Sequence, residues 1–334
     1  MTKTTILVAT WGDGLFAVTG AHHKQEHSNQ PVRGLAPDGR GGALAIVAGH
    51  TLFRRTPGGD WATIATSDFA LSCCMAVGDA IYVGTDDARM LRLSHGGSVL
   101  NPIVGFDNVE GRDTWFAGSA IVNGQRVGPP LGIRSVAVNS TGSILFANVH
   151  VGGIPRSLDG GRTWQPTIDV HSDVHEVRAH PTDPDIVAAA AGVGLCISRD
   201  AGATWTIERD GLHASHCSAV AFSGDHIIVS AATDPFAVQG RIYRRPINAE
   251  EALVAFEDGL PEWMSGSADT GCIATSGSMI VALDRAGTLY LSIDFGRSWS
   301  RSSSALPTPS GVLILAGSQC PSSQAADCRD RSAP

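Results

Sequence analysis

Twelve histidines occur in the 334 residues, and six of them, His150, His171, His175, His180, His213 and His216, fall between positions 150 and 216. Neutral imidazoles converging from neighbouring segments are good ligands for Zn, Cu or Fe. Three histidine ligands with one position left open form a catalytic kind of metal site, because water or substrate takes the open place. Carboxylates accompany the cluster. Asp173 and Glu176 lie beside His175, and Asp269 lies further along the chain. Each can orient an imidazole or serve as a base. Arg33, Arg112 and Arg134 are of the type that clamps a substrate carboxylate. Trp115, Phe236 and Trp263, in long segments without strand patterning, can roof a pocket.

These residues do no chemistry unless the fold gathers them, since their spacing is not a local metal motif. The elements follow from a repeat. Ser157-Leu-Asp159-Gly-Gly161-Arg-Thr163-Trp164 recurs as Ser198-Arg-Asp200-Ala-Gly202-Ala-Thr204-Trp205 and as Ser292-Ile-Asp294-Phe-Gly296-Arg-Ser298-Trp299. A period in the forties, with one degenerate copy between the second and third octads, is that of a four-stranded propeller blade. Innermost strands are predicted at 33–36, 72–77, 134–138, 175–179, 217–222 and 270–274. Second strands are predicted at 144–149, 186–190, 227–231 and 279–283. A last blade closes when 312–316 pairs beside 5–9 and 15–18, which removes the open sheet edge. The expected fold is therefore an all-β, seven-bladed β-propeller, with six blades as the alternative. It would occupy residues 1–317, and the Ser-, Ala- and Pro-rich stretch 318–334 would be a disordered tail.

Propeller geometry then places the site. First-strand starts and second-strand ends share one mouth of the central channel, opposite the octads. That mouth receives Arg33, Ser72, Arg134, His175, His216 and Asp269 from the first set, and Asp86, His150, Asp234 and Asp284 from the second. His150, His175 and His216 come from three consecutive blades and form the expected metal set. His213 replaces His216 if its strand begins earlier. His180 cannot join His175, because their spacing on a strand puts them on opposite faces, and it reads as a turn residue. His22, His23 and His27 read as a solvated loop. His175, His216, Glu176 and Asp269 are the candidate catalytic residues. Arg33, Arg134, Arg112, Trp115, Phe236 and Trp263 are the candidate substrate-binding residues. A hydrogen-bonded polar channel without metal is the competing reading.

The octad resembles the Asp box, or BNR repeat, of sialidase-like propellers. That resemblance implies the fold and carries no chemistry by itself. A sialidase would also need a catalytic tyrosine at the mouth. The three tyrosines, Tyr82, Tyr243 and Tyr290, fall in predicted second or third strands, and the usual Arg-Ile-Pro segment is absent, Gly153-Ile154-Pro155-Arg156 having another order. Sialidase activity is therefore disfavoured. The segments Asn148-Val149-His150-Val151-Gly152-Gly153-Ile154, Asp173-Val174-His175-Glu176-Val177, Gly211-Leu212-His213-Ala214 and Asp269-Thr270-Gly271-Cys272 resemble those of bacterial propellers labelled glycosyl hydrolase or WD40/YVTN/BNR-like. That group implies a fold and a site location.

Composition narrows the classes further. A formal net charge of -8 argues against a nucleic-acid binder, which needs a basic face. No run approaches the roughly 20 apolar residues of a membrane helix. The N-terminal apolar run is too short for a signal peptide and ends in a Gly12-Asp13 turn, so a cytoplasmic location is expected. The seven cysteines, odd in number and mostly inside apolar runs, read as buried free thiols. A small-molecule ligand, a transition metal ion (Zn, Cu or Fe), no nucleotide cofactor and a monomer or weak homo-oligomer are expected. Three functions compete: a metalloenzyme at the channel mouth, a metal-free lyase or glycosidase-like hydrolase using His and Arg residues, and a non-catalytic binding or assembly propeller.

Overall fold

Runs such as Ala43–Val47, Leu145–Val149 and Val187–Ala191 are apolar without alternation, and every residue in them is buried. A short continuous apolar run of this kind suits a strand covered on both faces. The computed structural model supplies those two covers by stacking sheets radially. It describes residues 4–20, 22–116, 120–122, 125–127, 131–302 and 305–315. Seven antiparallel meanders, six of four strands and one with a short fifth strand, surround a channel, so the fold is the seven-bladed propeller rather than the six-bladed one.

Blades 1 to 6 have innermost strands Val32–Pro37, Leu71–Val77, Ile133–Val138, Val174–Ala179, His216–Ser223 and Ile273–Ser276. Blade 7 takes its innermost strand, Pro309–Leu315, from the end of the described chain and its other three, Thr5–Thr10, Gly14–Thr19 and His22–Ser28, from the beginning. Leu7 pairs with Leu313 and Val8 with Val312 across that closure. His22, His23 and His27 are thus in the outer strand of blade 7 and not in a loop. His27 sits edge-on to Phe53 and Trp61, each 5.0 Å away. The segment after Leu315, including Cys320, Cys328 and the expected tail 318–334, lies outside the described residues. The other five cysteines are buried and free.

The apolar core lies between blades. Leu44 and Ile46 of blade 1 cluster with Ile81 and Val83 of blade 2, and Phe146 of blade 3 with Val174 and Val187 of blade 4. The octads lock this stacking. In each, the first serine hydroxyl accepts from the glycine amide at 2.7–2.8 Å, and the aspartate accepts the amide and hydroxyl of Thr163, Thr204 or Ser298. The tryptophans reach the preceding blade: Trp164 meets Phe106 edge-on at 5.1 Å, Trp205 donates to the Thr167 hydroxyl, and Trp299 meets Phe256 at 5.2 Å.

One irregularity recurs at the channel. Ser72, Arg134, His175 and Ser310 are each the extra residue of a β-bulge near the start of an innermost strand, and blades 1 and 5 shift register close to the same place. A bulge leaves one residue unpaired and re-aims its side chain. Here it turns that side chain toward the axis.

Candidate metal and ligand site in the channel

A cavity of about 1240 Å³ opens along the axis, lined by residues of all seven blades. His150, His175 and His216 all reach it. His150 follows the second strand of blade 3. Its ring is held by a tight turn in which the His150 amide donates to Gly132 and Gly152 donates back to Val149, with Val151 at φ 47°. Positive φ is unusual for a β-branched residue. His175 projects from the blade 4 bulge and His216 opens the innermost strand of blade 5. Ring centroids stand 5.8 Å apart for His150 and His175 and 4.6 Å for His175 and His216.

Between the first two rings lies Asp173. Its Oδ1 is 3.2 Å from His150 Nε2 and its Oδ2 is 3.4 Å from His175 Nε2. Donor atoms of His150, Asp173 and His175 all fall within 4.8 Å of one another, so these three can hold a metal ion. The expected set named His216 as third ligand; the geometric set puts Asp173 there, with the His216 ring tilted against His175. Asp173 sits at φ 54°, ending a short 3-10 turn (Val170–Ser172). The left-handed region is open to Asp.

Burial disfavours the charged form of two of these imidazoles. Burial holds His150 below the ordinary imidazole range, against the pull of Asp173. Burial and the adjacent His175 push His216 down to about 4. Burial alone would raise the Asp173 carboxyl, but the two imidazoles outweigh it and hold it well below the carboxylate range. His175 Nδ1 lies 2.6 Å from the Cys217 carbonyl. A carbonyl only accepts, so Nδ1 carries a hydrogen, and Nε2 is the atom facing Asp173. His150 Nδ1 and Asp173 Oδ1 are buried without a hydrogen-bond partner among the described residues.

The other candidates divide. Glu176 is fully buried, accepts Arg178 at 2.6 Å and the Val220 amide at 3.0 Å, and so ties blade 4 to blade 5. Arg134 spans the channel to Asp269 (3.4 Å) and the Thr270 hydroxyl (2.9 Å). Burial raises the Asp269 carboxyl, but Arg134 and the Thr270 amide prevail and hold it low. Arg33 pairs with Asp86 at 2.6 Å on the channel wall. Phe236 stands at the rim, 71% exposed.

Arg112, Trp115, Trp263 and His213 are not among the lining residues. Arg112 donates to the Ala88 carbonyl and lies over Trp115, which is buried against Phe106 in the blade 2–3 core. Trp263 meets His213 edge-on, and His213 is within 2.7 Å of the Tyr243 hydroxyl. These side chains anchor their own loops. Tyr82, Tyr243 and Tyr290 are buried and away from the cavity. Lining residues that sequence reasoning did not single out are Trp11, Phe116, Arg178 and Arg285. Trp11 and Arg285 follow second strands, as His150 does, and that shared position was their signal.

No family model and no curated protein matches the chain. Solved structures resemble it at low identity. AztD from Citrobacter koseri, in its apo form, gives a TM-score of 0.62 at 10% identity, over 95% of this chain and 99% of that one. YCF48 bound to D1 peptide gives 0.59 at 13%, over 96% and 98%. A GH74 enzyme from Niastella koreensis gives 0.53 at 14%, over 89% of this chain and 46% of that one, so the chain spans about half its length. At these identities the likeness carries the fold alone.

Proposed function

We propose that His150, Asp173 and His175 hold a divalent transition metal ion and that the chain is an enzyme acting there on a small molecule. One observation carries the reading. The Cys217 carbonyl takes the His175 Nδ1–H and so aims Nε2 at an Asp173 oxygen 3.4 Å away, with the donor atoms of His150, Asp173 and His175 all within 4.8 Å of one another. A cation shared by the ring nitrogen and the carboxylate, a metal ion or the ring's own proton, satisfies both groups. Ligands about 2.0–2.1 Å from a tetrahedral ion stand about 3.3 Å apart, close to the 3.2 and 3.4 Å approaches of Asp173 to the two rings. Two imidazoles and one carboxylate suit Zn or Fe(II) and leave positions open for substrate.

Such an ion would polarise a substrate oxygen or acidify a bound water. The chain's own residues would do the rest. Cys217 orients the His175 ring through its carbonyl. His216, neutral at pH 7, can take a proton beside the open positions. Arg134 holds Asp269 in place across the channel. We read the three octads as Asp boxes, on the hydrogen-bond pattern they share. The glycosidase alternative fits less well, because a general acid needs a carboxyl held in its protonated form. Asp173 and Asp269 are held low, while Glu176 and Asp86 are tied to arginines.

The test is metal content of protein purified without a histidine tag, loaded with Zn(II) or Fe(II) and dialysed. About one equivalent is expected, falling below about a tenth in His175→Gln and Asp173→Asn and unchanged in His213→Gln. Wild type retaining less than about a tenth of an equivalent of either metal would sink the proposal. A non-catalytic binding propeller is the second reading, favoured by Phe236 and Val238 standing 71% and 83% exposed at one loop of the mouth. Stoichiometric capture of one protein, lost in Phe236→Ala with metal content unchanged, would favour it.

A further inference from the structure

The charges in the cavity are matched almost one to one. Three of its four arginines have carboxylate partners: Arg33 with Asp86, Arg134 with Asp269 and Arg178 with Glu176. The remaining pair of opposite charges is not in contact. Asp173 faces the two imidazoles, and Arg285 donates to the Pro235 carbonyl without an ion pair among the described residues. The four arginines of the lining are thus matched in number by four carboxylates, Asp86, Asp173, Glu176 and Asp269. A divalent cation on His150, Asp173 and His175 would add two positive charges to that balance. An uncompensated charge in a protein cavity is costly, and a bound metal is the largest local charge in its site. The ligand that completes this site must bring the anion.

The mouth adds a second requirement. Trp11, Phe116 and Phe236 line the cavity, yet are 51%, 46% and 71% exposed. Three large apolar side chains around one opening mark a place where an apolar body is meant to lie. A cavity of about 1240 Å³ is far larger than a simple inorganic anion fills. Arg285 and Phe236 are coupled, because the Arg285 guanidinium holds the Pro235 carbonyl next to Phe236.

We propose that the natural ligand is an amphipathic anion, an acid head toward the metal and Arg285 with an aromatic or comparably apolar body against Trp11, Phe116 and Phe236. This rests on the metal reading above.

Calorimetry on the Zn(II)-loaded full chain tests it with three probes: biphenyl-4-carboxylate, biphenyl-4-ylmethylamine and acetate. The carboxylate is expected to bind at least about tenfold tighter than either of the others. Stripping the zinc should erase most of the preference for acid over amine. Arg285→Gln should weaken the carboxylate about fivefold or more at unchanged zinc content. Phe236→Ala should weaken the carboxylate and leave acetate unaffected. Equal binding of acid and amine by the loaded protein, or an acid affinity indifferent to zinc, overturns the amphipathic-anion proposal while the metal site stands. Failure of the wild type to retain zinc, read by dialysis before any probe is added, removes the metal site and this charge argument with it.

Discussion

Asp173 is the residue on which the site turns. Sequence alone drew attention to the histidines, because three of them fall in consecutive blades and face one mouth of the channel. Asp173 was visible only as a neighbour of His175. It becomes a ligand candidate because a left-handed turn at φ 54° folds its carboxylate back between two rings, which no spacing rule reveals. The two readings of the third ligand separate by mutation. Asp173→Asn should weaken zinc binding by at least the roughly 10–100-fold that loss of an outer partner costs. His216→Gln should change it by less than about threefold, measured by competition with a chromophoric chelator. The reverse order would restore the three-histidine site. Arg112, Trp115 and Trp263 show the opposite limit. Their types suit a pocket, but Phe106 and His213 give them partners inside the wall.

At the scale of elements, the octad explains why its glycine is glycine. The fourth position is left-handed in every copy and holds Gly160, Ala201 or Phe295, so a side chain is tolerated there. At the fifth position, also left-handed, a Cβ on Gly202 would run into the Phe146 ring of the preceding blade, and one on Gly296 into Phe256. Gly202→Ala should therefore destabilise by about 1–3 kcal/mol, whereas Gly160→Ala, with open space around it, should stay within about 1 kcal/mol; paired denaturant titrations compare them. The octads also set an acid response. Amide and hydroxyl donors of Thr163, Thr204 and Ser298 hold Asp159, Asp200 and Asp294 down to about 2, against 3.8 ordinarily. Carboxyls depressed by folding stabilise the native state above their unfolded pKa, and that support is lost as pH falls through the folded one. Thermal midpoints should be flat above about pH 5 and fall between about pH 4 and 2. Replacing all three with Asn should lower the midpoint at pH 7 and flatten that fall. The bulges that deliver Ser72, Arg134, His175 and Ser310 were invisible in the sequence, because an extra residue in a strand leaves no signature in apolar runs.

For the whole molecule, closure of the ring is the stabilising device. Pro309–Leu315 pairs with Thr5–Thr10 and packs against blades 6 and 1. A chain ending at residue 308 exposes the edge of Thr5–Thr10 and the core face of Ile273–Ser276. It should aggregate or unfold without a single cooperative transition, seen by size exclusion and calorimetry. Retention of a cooperative monomer would show that closure is dispensable.

The blade frame, the closing strand and the convergence of His150, His175 and His216 on one mouth were determined by the sequence alone. They rest on short-range chemistry: turn residues at fixed offsets, continuous apolar runs, and a repeat whose period is that of a blade. The third metal ligand, the arginine left without a carboxylate, and the aromatics that line the rim rather than the wall were decided by tertiary structure. Each depends on where a loop side chain points once neighbouring blades have packed, and that direction is set by contacts between residues far apart in the chain.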